Sequence, residues 1–120
     1  MTAQGSAYTR FRRALDRRDV TEALSGAAEL QFVSLAEALE LTLLLADREP
    51  DKYGRAAGRW HARFLQEIPN VDVRESQAVL ALLAAIPANR LAASALAELV
   101  SRMRSCERIA EALVGWAREA

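Results

Sequence analysis

One histidine and one cysteine are the side chains in this sequence that most readily support catalysis or metal binding. His61 lies between Trp60 and Ala62 at the edge of a helical hydrophobic pattern, and Cys106 falls in a different predicted helix. Metal sites in proteins normally use several histidine or cysteine ligands at short spacing. We therefore expect no metal site, and we interpret His61 as a hydrogen-bonded histidine at the boundary of a core.

Two pairs of acidic residues share neighbouring helical turns. Glu37 and Glu40 form the first pair, and Asp47 and Asp51 form the second. Carboxylate-bridged metal sites in helical bundles also use histidines, and no histidine accompanies either pair, so we interpret both as capping, first-turn or solvent-facing acids. The sequence contains no glycine-rich phosphate loop, nucleophile elbow or dinucleotide fingerprint. We expect a protein without enzymatic activity and without a cofactor.

The composition is typical of a single all-α domain. The chain has 120 residues, of which alanine and leucine make up about a third, and it lacks runs of alternating β-branched residues. The formal net charge is zero, so attraction to nucleic acid or acidic membranes would need a local patch. The single cysteine and an N-terminus without an apolar segment favour a cytoplasmic protein, and no segment is apolar for long enough to span a membrane.

Residues 34–49 form the most apolar predicted helix, and we expect the rest of the chain to pack around it. Ser34 followed by Glu37 is a capping box, which satisfies two backbone N–H groups at the helix start. Leucine and alanine side chains then cover nearly the whole helical surface. A helix that is apolar on most sides is normally covered by several neighbours.

Cap residues, prolines and hydrophobic spacing predict five further helices before the C-terminal tail. After a loose segment over residues 1–5, we expect them over residues 6–18, 19–30, 51–67, 72–86 and 89–105. The helix over 72–86 is also nearly apolar all round, so we place it beside the central helix. Gly26 is expected to weaken its helix, whereas Gly54 and Gly58 are expected to allow the close approach of another helix.

The hydrophobic face changes at Ser105, and two arrangements of the C-terminus are consistent with this change. Either the sixth helix ends there and Ser105 caps a seventh, or one helix runs straight on as an extension over residues 105–120. We favour the break. On a straight helix the stripe of Ile109, Leu113 and Trp116 would be exposed, which makes it a candidate protein interface.

Charged residues alternate in blocks that follow the predicted helices. Residues 1–18 and 52–63 are mainly basic, whereas residues 19–51 are mainly acidic. One hypothesis is a nucleic-acid surface in which the first and fourth helices lie side by side. The arginines of this candidate basic patch are Arg10, Arg13, Arg17, Arg55, Arg59 and Arg63. The other hypothesis, which we favour, is that these arginines pair with acidic residues across helix contacts or solvate exposed faces.

Three stretches of the chain carry a resemblance. Residues 53–64 read YGRAAGRWHARF, residues 72–83 read DVRESQAVLALL, and residues 8–15 read YTRFRRAL. Over residues 8 to about 103, this pattern resembles small, functionally uncharacterised helical proteins of high-GC bacteria. The resemblance implies an all-helical fold in a bacterial cytoplasm and implies no activity or site. The tail from Ser105 onward departs from the pattern.

These observations predict one all-α domain over residues 1–120, built as a compact bundle or as a short solenoid-like stack of six or seven helices. The stack is suggested by residues 34–67 and 72–104, which each read as a capped helix, a proline and a second helix. We expect an interaction or accessory subunit whose partner is another protein or a second copy, as in a homodimer. The expected contact surfaces are the C-terminal stripe and the basic side of the fourth helix. Nucleic-acid binding is the alternative, and no membrane contact is expected.

Overall fold

The computed structural model describes residues 3–119, with side chains from residue 5 onward, and this part of the chain forms seven α-helices and no strand. The helices are α1 (Ala3–Asp16), α2 (Val20–Glu29), α3 (Leu35–Arg48), α4 (Pro50–Glu67), α5 (Val73–Ala85), α6 (Leu91–Ser101) and α7 (Glu107–Arg118). Their radius of gyration is 14.0 Å, and a compact domain of this length is expected to have roughly 13.6 Å. The all-α prediction is confirmed, and a compact bundle is the observed arrangement.

Side-chain caps set the starts of α2, α3 and α5. The side chains of Asp19, Ser34 and Asp72 each accept a hydrogen bond from the backbone N–H three residues later. At α5 the two residues form a complete capping box, since the Glu75 carboxylate also accepts from the Asp72 backbone N–H. A cap of this kind contributes about 1 kcal/mol to stability, so short sequence motifs were sufficient to predict where these helices begin.

The central position predicted for α3 is confirmed, since it packs against α1, α2, α4 and α7. It lies between two hydrophobic cores. The larger core joins α3 to α4, α5, α6 and α7, and the smaller core joins α3 to α1 and α2. Leu39 and Leu43 belong to the larger core, whereas Leu44 and Leu45 belong to the smaller one. The all-round apolar surface of α3 follows from its place between the two.

The position predicted for α5 is wrong. In the described chain α5 packs on α4 and α6, and not on α3. It buries one side through Val79 and Leu83, while Leu80 remains exposed. The Tyr53 hydroxyl of α4 donates to the Leu83 carbonyl at 2.7 Å, which ties α4 to α5. α5 therefore lies on the outside of the bundle although its sequence is nearly apolar, since α4 and α6 cover only one of its faces.

Two predicted helix starts also differ from the structure. α1 already begins at Ala3, before the predicted start at residue 6, and only Met1 and Thr2 of the predicted loose segment lie outside the described residues. The predicted break between the last two helices is confirmed. Ser105, however, has a left-handed φ of 66° and lies before the N-cap, which is Cys106. The reversal of the chain at this point separates α6 from α7.

The glycines differ from their expected roles. A Cβ built on Gly26 would lie 3.1 Å from the Cα and the Cβ of Phe11, so Gly26 is the point where α2 approaches the backbone of α1. A Cβ on Gly54 or Gly58 would have no neighbouring atom within 4 Å. The close helix approach that was predicted at Gly54 and Gly58 therefore occurs at Gly26 instead.

Candidate functional site

The histidine and the cysteine are both held inside the fold. His61 is buried, and its Nε2 atom lies 3.0 Å from the Ser76 carbonyl oxygen. This confirms the interpretation of His61 as a hydrogen-bonded boundary residue. Cys106 is also buried, and burial raises the pKa of its thiol, with a further contribution from the charge of Glu107. Within residues 3–119, no three His, Cys, Asp or Glu side chains come together as metal ligands.

The C-terminal stripe lies in the core of the chain itself. Because α6 and α7 are separate helices, α7 folds back onto α3 and α6. Ile109, Leu113 and Trp116 are consequently buried in the larger core. The expectation of an exposed C-terminal interface is corrected by this packing, since a partner could reach these side chains only after the domain had opened.

The candidate basic patch is divided between two helices that do not meet. Arg10 and Arg13 lie on α1, Arg17 directly follows the end of α1, and the last three arginines lie on α4. In the described chain, α1 packs on α2 and α3 but not on α4. The continuous surface that requires α1 and α4 side by side is therefore not formed.

Pairing within the chain engages two of the six arginines. Arg10 donates to the Glu29 carboxylate at 3.0 Å, which is the expected kind of contact between neighbouring helices. Arg63 pairs with Glu67 and also donates to the backbone carbonyl of Val33. The others are exposed and make no ion pair within the described part of the chain: Arg13, Arg17, Arg55 and Arg59.

Sequence reasoning missed Arg12, which is the centre of an ion-pair cluster between α1 and α3. Its two Nη atoms each lie 2.8 Å from a Glu40 carboxylate oxygen, and they also contact Glu37 at 3.1 Å and Asp16 at 2.9 Å. The Tyr8 hydroxyl donates to Glu37, and this hydrogen bond raises the pKa of Tyr8. Glu37 and Glu40 are thus bound to an arginine, and they hold α1 against α3.

A second cluster surrounds Asp47 at the end of α3. The Asp47 carboxylate accepts hydrogen bonds from Arg18 at 2.6 Å, from Arg90 at 3.3 Å and from the Trp116 indole N–H at 2.9 Å. The Arg90 guanidinium also lies 3.7 Å from the centre of the Trp116 ring, and Arg18 pairs with Glu119. Four segments of the chain meet at this carboxylate, so its role is to fix α7 on the bundle.

Both clusters border a polar cleft between α1, α3 and α7. One part of this cleft has a volume of about 490 Å³ and is lined by Arg12, Glu37, Glu40 and Glu111 among others. Most of these charged side chains pair with one another across the helix contacts. On the α1 and α3 sides of the cleft the charged groups are therefore already engaged, whereas Arg108 and Glu111 on α7 make no ion pair within the described chain.

An apolar groove runs between α2, α3 and α4, and we call it the α2–α4 groove. Its volume is about 320 Å³, which is at the lower end of the roughly 300–1,000 Å³ found for ligand pockets. Its lining is mainly aliphatic and aromatic and includes Leu24, Ala27, Ala38, Leu41, Ala56 and Trp60. The groove has room for large apolar side chains of a bound molecule.

The α2–α4 groove exists because each of three facing helices contributes a small side chain. Ala27, Ala38 and Ala56 come from α2, α3 and α4 respectively, and all three are only partly buried. Larger side chains at these positions would fill the space between the helices. Because the sequence contains many alanines, nothing marks these three, and the groove was not predicted.

Polar atoms at the floor of the groove are already hydrogen-bonded within the chain. The Trp60 indole N–H donates to the Leu35 carbonyl at 2.8 Å. The Thr42 hydroxyl donates to the Ala38 carbonyl at 2.8 Å. The floor therefore presents mainly apolar surface to an occupant.

The rim of the groove combines exposed apolar side chains with arginines. Leu24 is 39% exposed, and Phe32, in the linker between α2 and α3, is 69% exposed. The Arg63 guanidinium lies 5.2 Å from the centre of the Phe32 ring and also binds the Val33 carbonyl, so it holds the linker beside the groove. Arg59 also lines the groove. Phe32 was a visible signal in the sequence, because an aromatic residue in a short linker has no helical face to bury it.

Comparison with known proteins identifies no relative of this chain. No protein-family model matches the chain, and neither a curated protein nor a solved structure is similar to it. Among the seven helices described, none has both the length and the apolar character needed to cross a lipid bilayer.

Proposed function

We propose that this protein is a non-catalytic interaction module that binds a segment of a partner protein in the α2–α4 groove. The observation that carries the proposal is an open apolar groove with an exposed phenylalanine beside it. Such a surface is uncommon on a protein that works alone, because contiguous exposed apolar area favours association. Partner segments commonly insert bulky apolar side chains into grooves between helices.

The composition of the groove agrees with the anatomy of protein interfaces. Their centres are apolar and enriched in aromatic and arginine side chains, and the groove combines Trp60 and Leu41 with Arg59 and Arg63. Burial of one leucine or phenylalanine side chain contributes about 1.5–3 kcal/mol. One well-seated anchor therefore accounts for roughly ten- to a hundredfold in affinity.

Selection of random displayed peptides on the folded protein tests this proposal. We expect the enriched peptides to share bulky apolar residues. Their affinity, measured by fluorescence anisotropy, should fall at least about tenfold when Ala56→Trp fills the groove. Leu24→Glu places a charge on the rim without altering the core, and it should weaken binding in the same way.

The matched control is Ala62→Trp, which puts the same side chain on an exposed position of α4 outside the groove. This variant should bind the selected peptides as the unmodified protein does. Thermal unfolding establishes that each variant is folded. Peptides whose affinity is unaffected by both groove variants, or the absence of any enriched peptide, would contradict the proposal.

Nucleic-acid binding is a second and weaker proposal, supported by two pairs of exposed arginines: Arg55 and Arg59 on α4, and Arg13 and Arg17 at the end of α1 and just after it. The net charge of the chain is zero, and α1 does not pack on α4 in the described chain, so these four arginines do not form one continuous surface. Binding through phosphates weakens steeply with added salt, whereas an apolar anchor is nearly indifferent to it. Titration of a duplex and a single-stranded oligonucleotide at low and high salt therefore separates the two proposals.

A further inference from the structure

We propose that the segment bound in the α2–α4 groove is acidic, with one or two bulky apolar side chains flanked by aspartate or glutamate. This inference rests on the proposed function and adds the chemistry of the partner. It is drawn from the charges around the groove, which are unbalanced although the protein as a whole has no net charge.

The α4 side of the groove carries unpaired positive charge. Arg59 lines the groove, and Arg55 lies one helical turn before it on the same side of α4. Both side chains are exposed, and neither has a carboxylate partner within the described chain. The groove lining, as far as the structure describes it, contains two arginines and no carboxylate.

Two acidic side chains near the groove are already engaged by other arginines. Glu67 pairs with Arg63 on α4. On α2, Glu29 binds Arg10 of α1. An apolar segment that entered the groove would consequently meet Arg59, which has no carboxylate partner within the described chain. Carboxylates on that segment would find charge-assisted hydrogen-bond donors there.

The floor cannot supply this selectivity, because the polar atoms of Trp60 and Thr42 are bonded within the chain. Selection among apolar segments therefore depends on the arginines of the rim. Opposite charge at an interface chiefly sets specificity and association rate. The preference for acidic flanks should thus be moderate in size and sensitive to salt.

Three synthetic peptides with identical leucine and phenylalanine anchors, flanked by glutamate, glutamine or lysine, test the inference. By fluorescence anisotropy at low salt, the glutamate peptide should bind about three- to tenfold more tightly than the glutamine peptide, and the lysine peptide should bind most weakly. High salt should reduce these differences. The double variant Arg55→Glu with Arg59→Glu should reverse the order of the three peptides.

Arg102→Glu is the matched control, since Arg102 is exposed near the end of α6 and remote from the groove. It should leave the order unchanged. Equal affinity of the glutamate and glutamine peptides, both lost in Ala56→Trp, would overturn the acidic preference while the groove remained a binding site. Groove-independent binding of all three peptides would overturn the proposed function as well.

Two other occupants would also overturn the inference. Self-association that disappears in Ala56→Trp, seen by light scattering, would identify a second copy of the chain as the occupant. An oligonucleotide that displaces the glutamate peptide and binds more tightly would identify a phosphate backbone. The acidic peptide segment is supported only if neither result is obtained.

Discussion

Asp47 shows how one carboxylate can join distant parts of a chain. It accepts hydrogen bonds from Arg18, Arg90 and Trp116. Burial alone would raise the pKa of Asp47, but these three donors more than offset that effect, and the pKa lies below its ordinary value. The ionised form is therefore the one that the fold stabilises.

We predict that Asp47→Asn destabilises the protein in a pH-dependent way. Because the folded pKa is lowered, the contribution of the carboxylate is present above about pH 4 and is lost as the pH falls through the folded pKa. At neutral pH the substitution should lower the free energy of unfolding by about 1.5–3 kcal/mol, and the loss should shrink in acid. Urea unfolding at neutral and acidic pH measures both values.

Glu98→Gln is the control for this prediction. Glu98, in α6, forms an exposed ion pair with Arg102, which directly follows the helix. Its loss should cost less than about 0.5 kcal/mol. If Asp47→Asn lowered the free energy of unfolding equally at both pH values, the negative charge of Asp47 would not contribute to stability, and the prediction would be contradicted.

Single residues also mark the limit of sequence reasoning about the charges. Arg12 and Arg13 are adjacent and chemically identical, yet Arg12 binds three carboxylates and Arg13 is exposed without an ion pair in the described chain. The difference arises because Arg12 lies on the side of α1 that faces α3, whereas Arg13 lies on a side that faces solvent. The sequence places both arginines on a helix, but only the packing of that helix decides which one meets Glu37 and Glu40.

At the scale of elements, Gly26 and Gly58 provide a matched test of helix packing. Both lie within helices, but only Gly26 faces the backbone of another helix, that of α1 at Phe11. Alanine is favoured over glycine within a helix by about 1 kcal/mol. We predict that Gly58→Ala stabilises the protein by up to that amount, whereas Gly26→Ala destabilises it because α1 would have to move away from α2.

Chemical unfolding of the two variants measures the difference. Stabilisation by both substitutions would contradict the prediction, because it would mean that α1 and α2 can accommodate a methyl group at Gly26 without a loss of stability. The sequence could not assign these roles, because a glycine in a helical pattern shows no partner. Helix starts were predictable instead, since the caps at Ser34 and Asp72 depend on residues only three positions away.

At the scale of the whole molecule, the fold class and the central helix followed from hydrophobic spacing, whereas the arrangement of the other helices did not. The apolar surface of α3 required several neighbours, and α3 does contribute side chains to both hydrophobic cores. α5 looked equally apolar but lies outside, on α4 and α6. Hydrophobic spacing reports how much of a helix is apolar, and it does not report which helix covers it.

The same limit applies to the candidate site. The C-terminal stripe was visible because its residues recur at helical spacing, but the break before α7 turns it into the core. The α2–α4 groove depends on three alanines that are far apart in the sequence and become neighbours only after folding. A surface defined by missing side-chain volume leaves little trace in a sequence rich in alanine.

The most direct test of the proposed binding site is to measure, by NMR, the changes in chemical shift of backbone amides and tryptophan indole N–H groups as a selected peptide is added. If the α2–α4 groove is the binding site, the largest changes should occur at Leu24, Leu41, Ala56 and the Trp60 indole, and they should be absent in Ala56→Trp. Changes concentrated instead at Tyr8, Arg12 and Glu111, in the polar cleft between α1, α3 and α7, would contradict it.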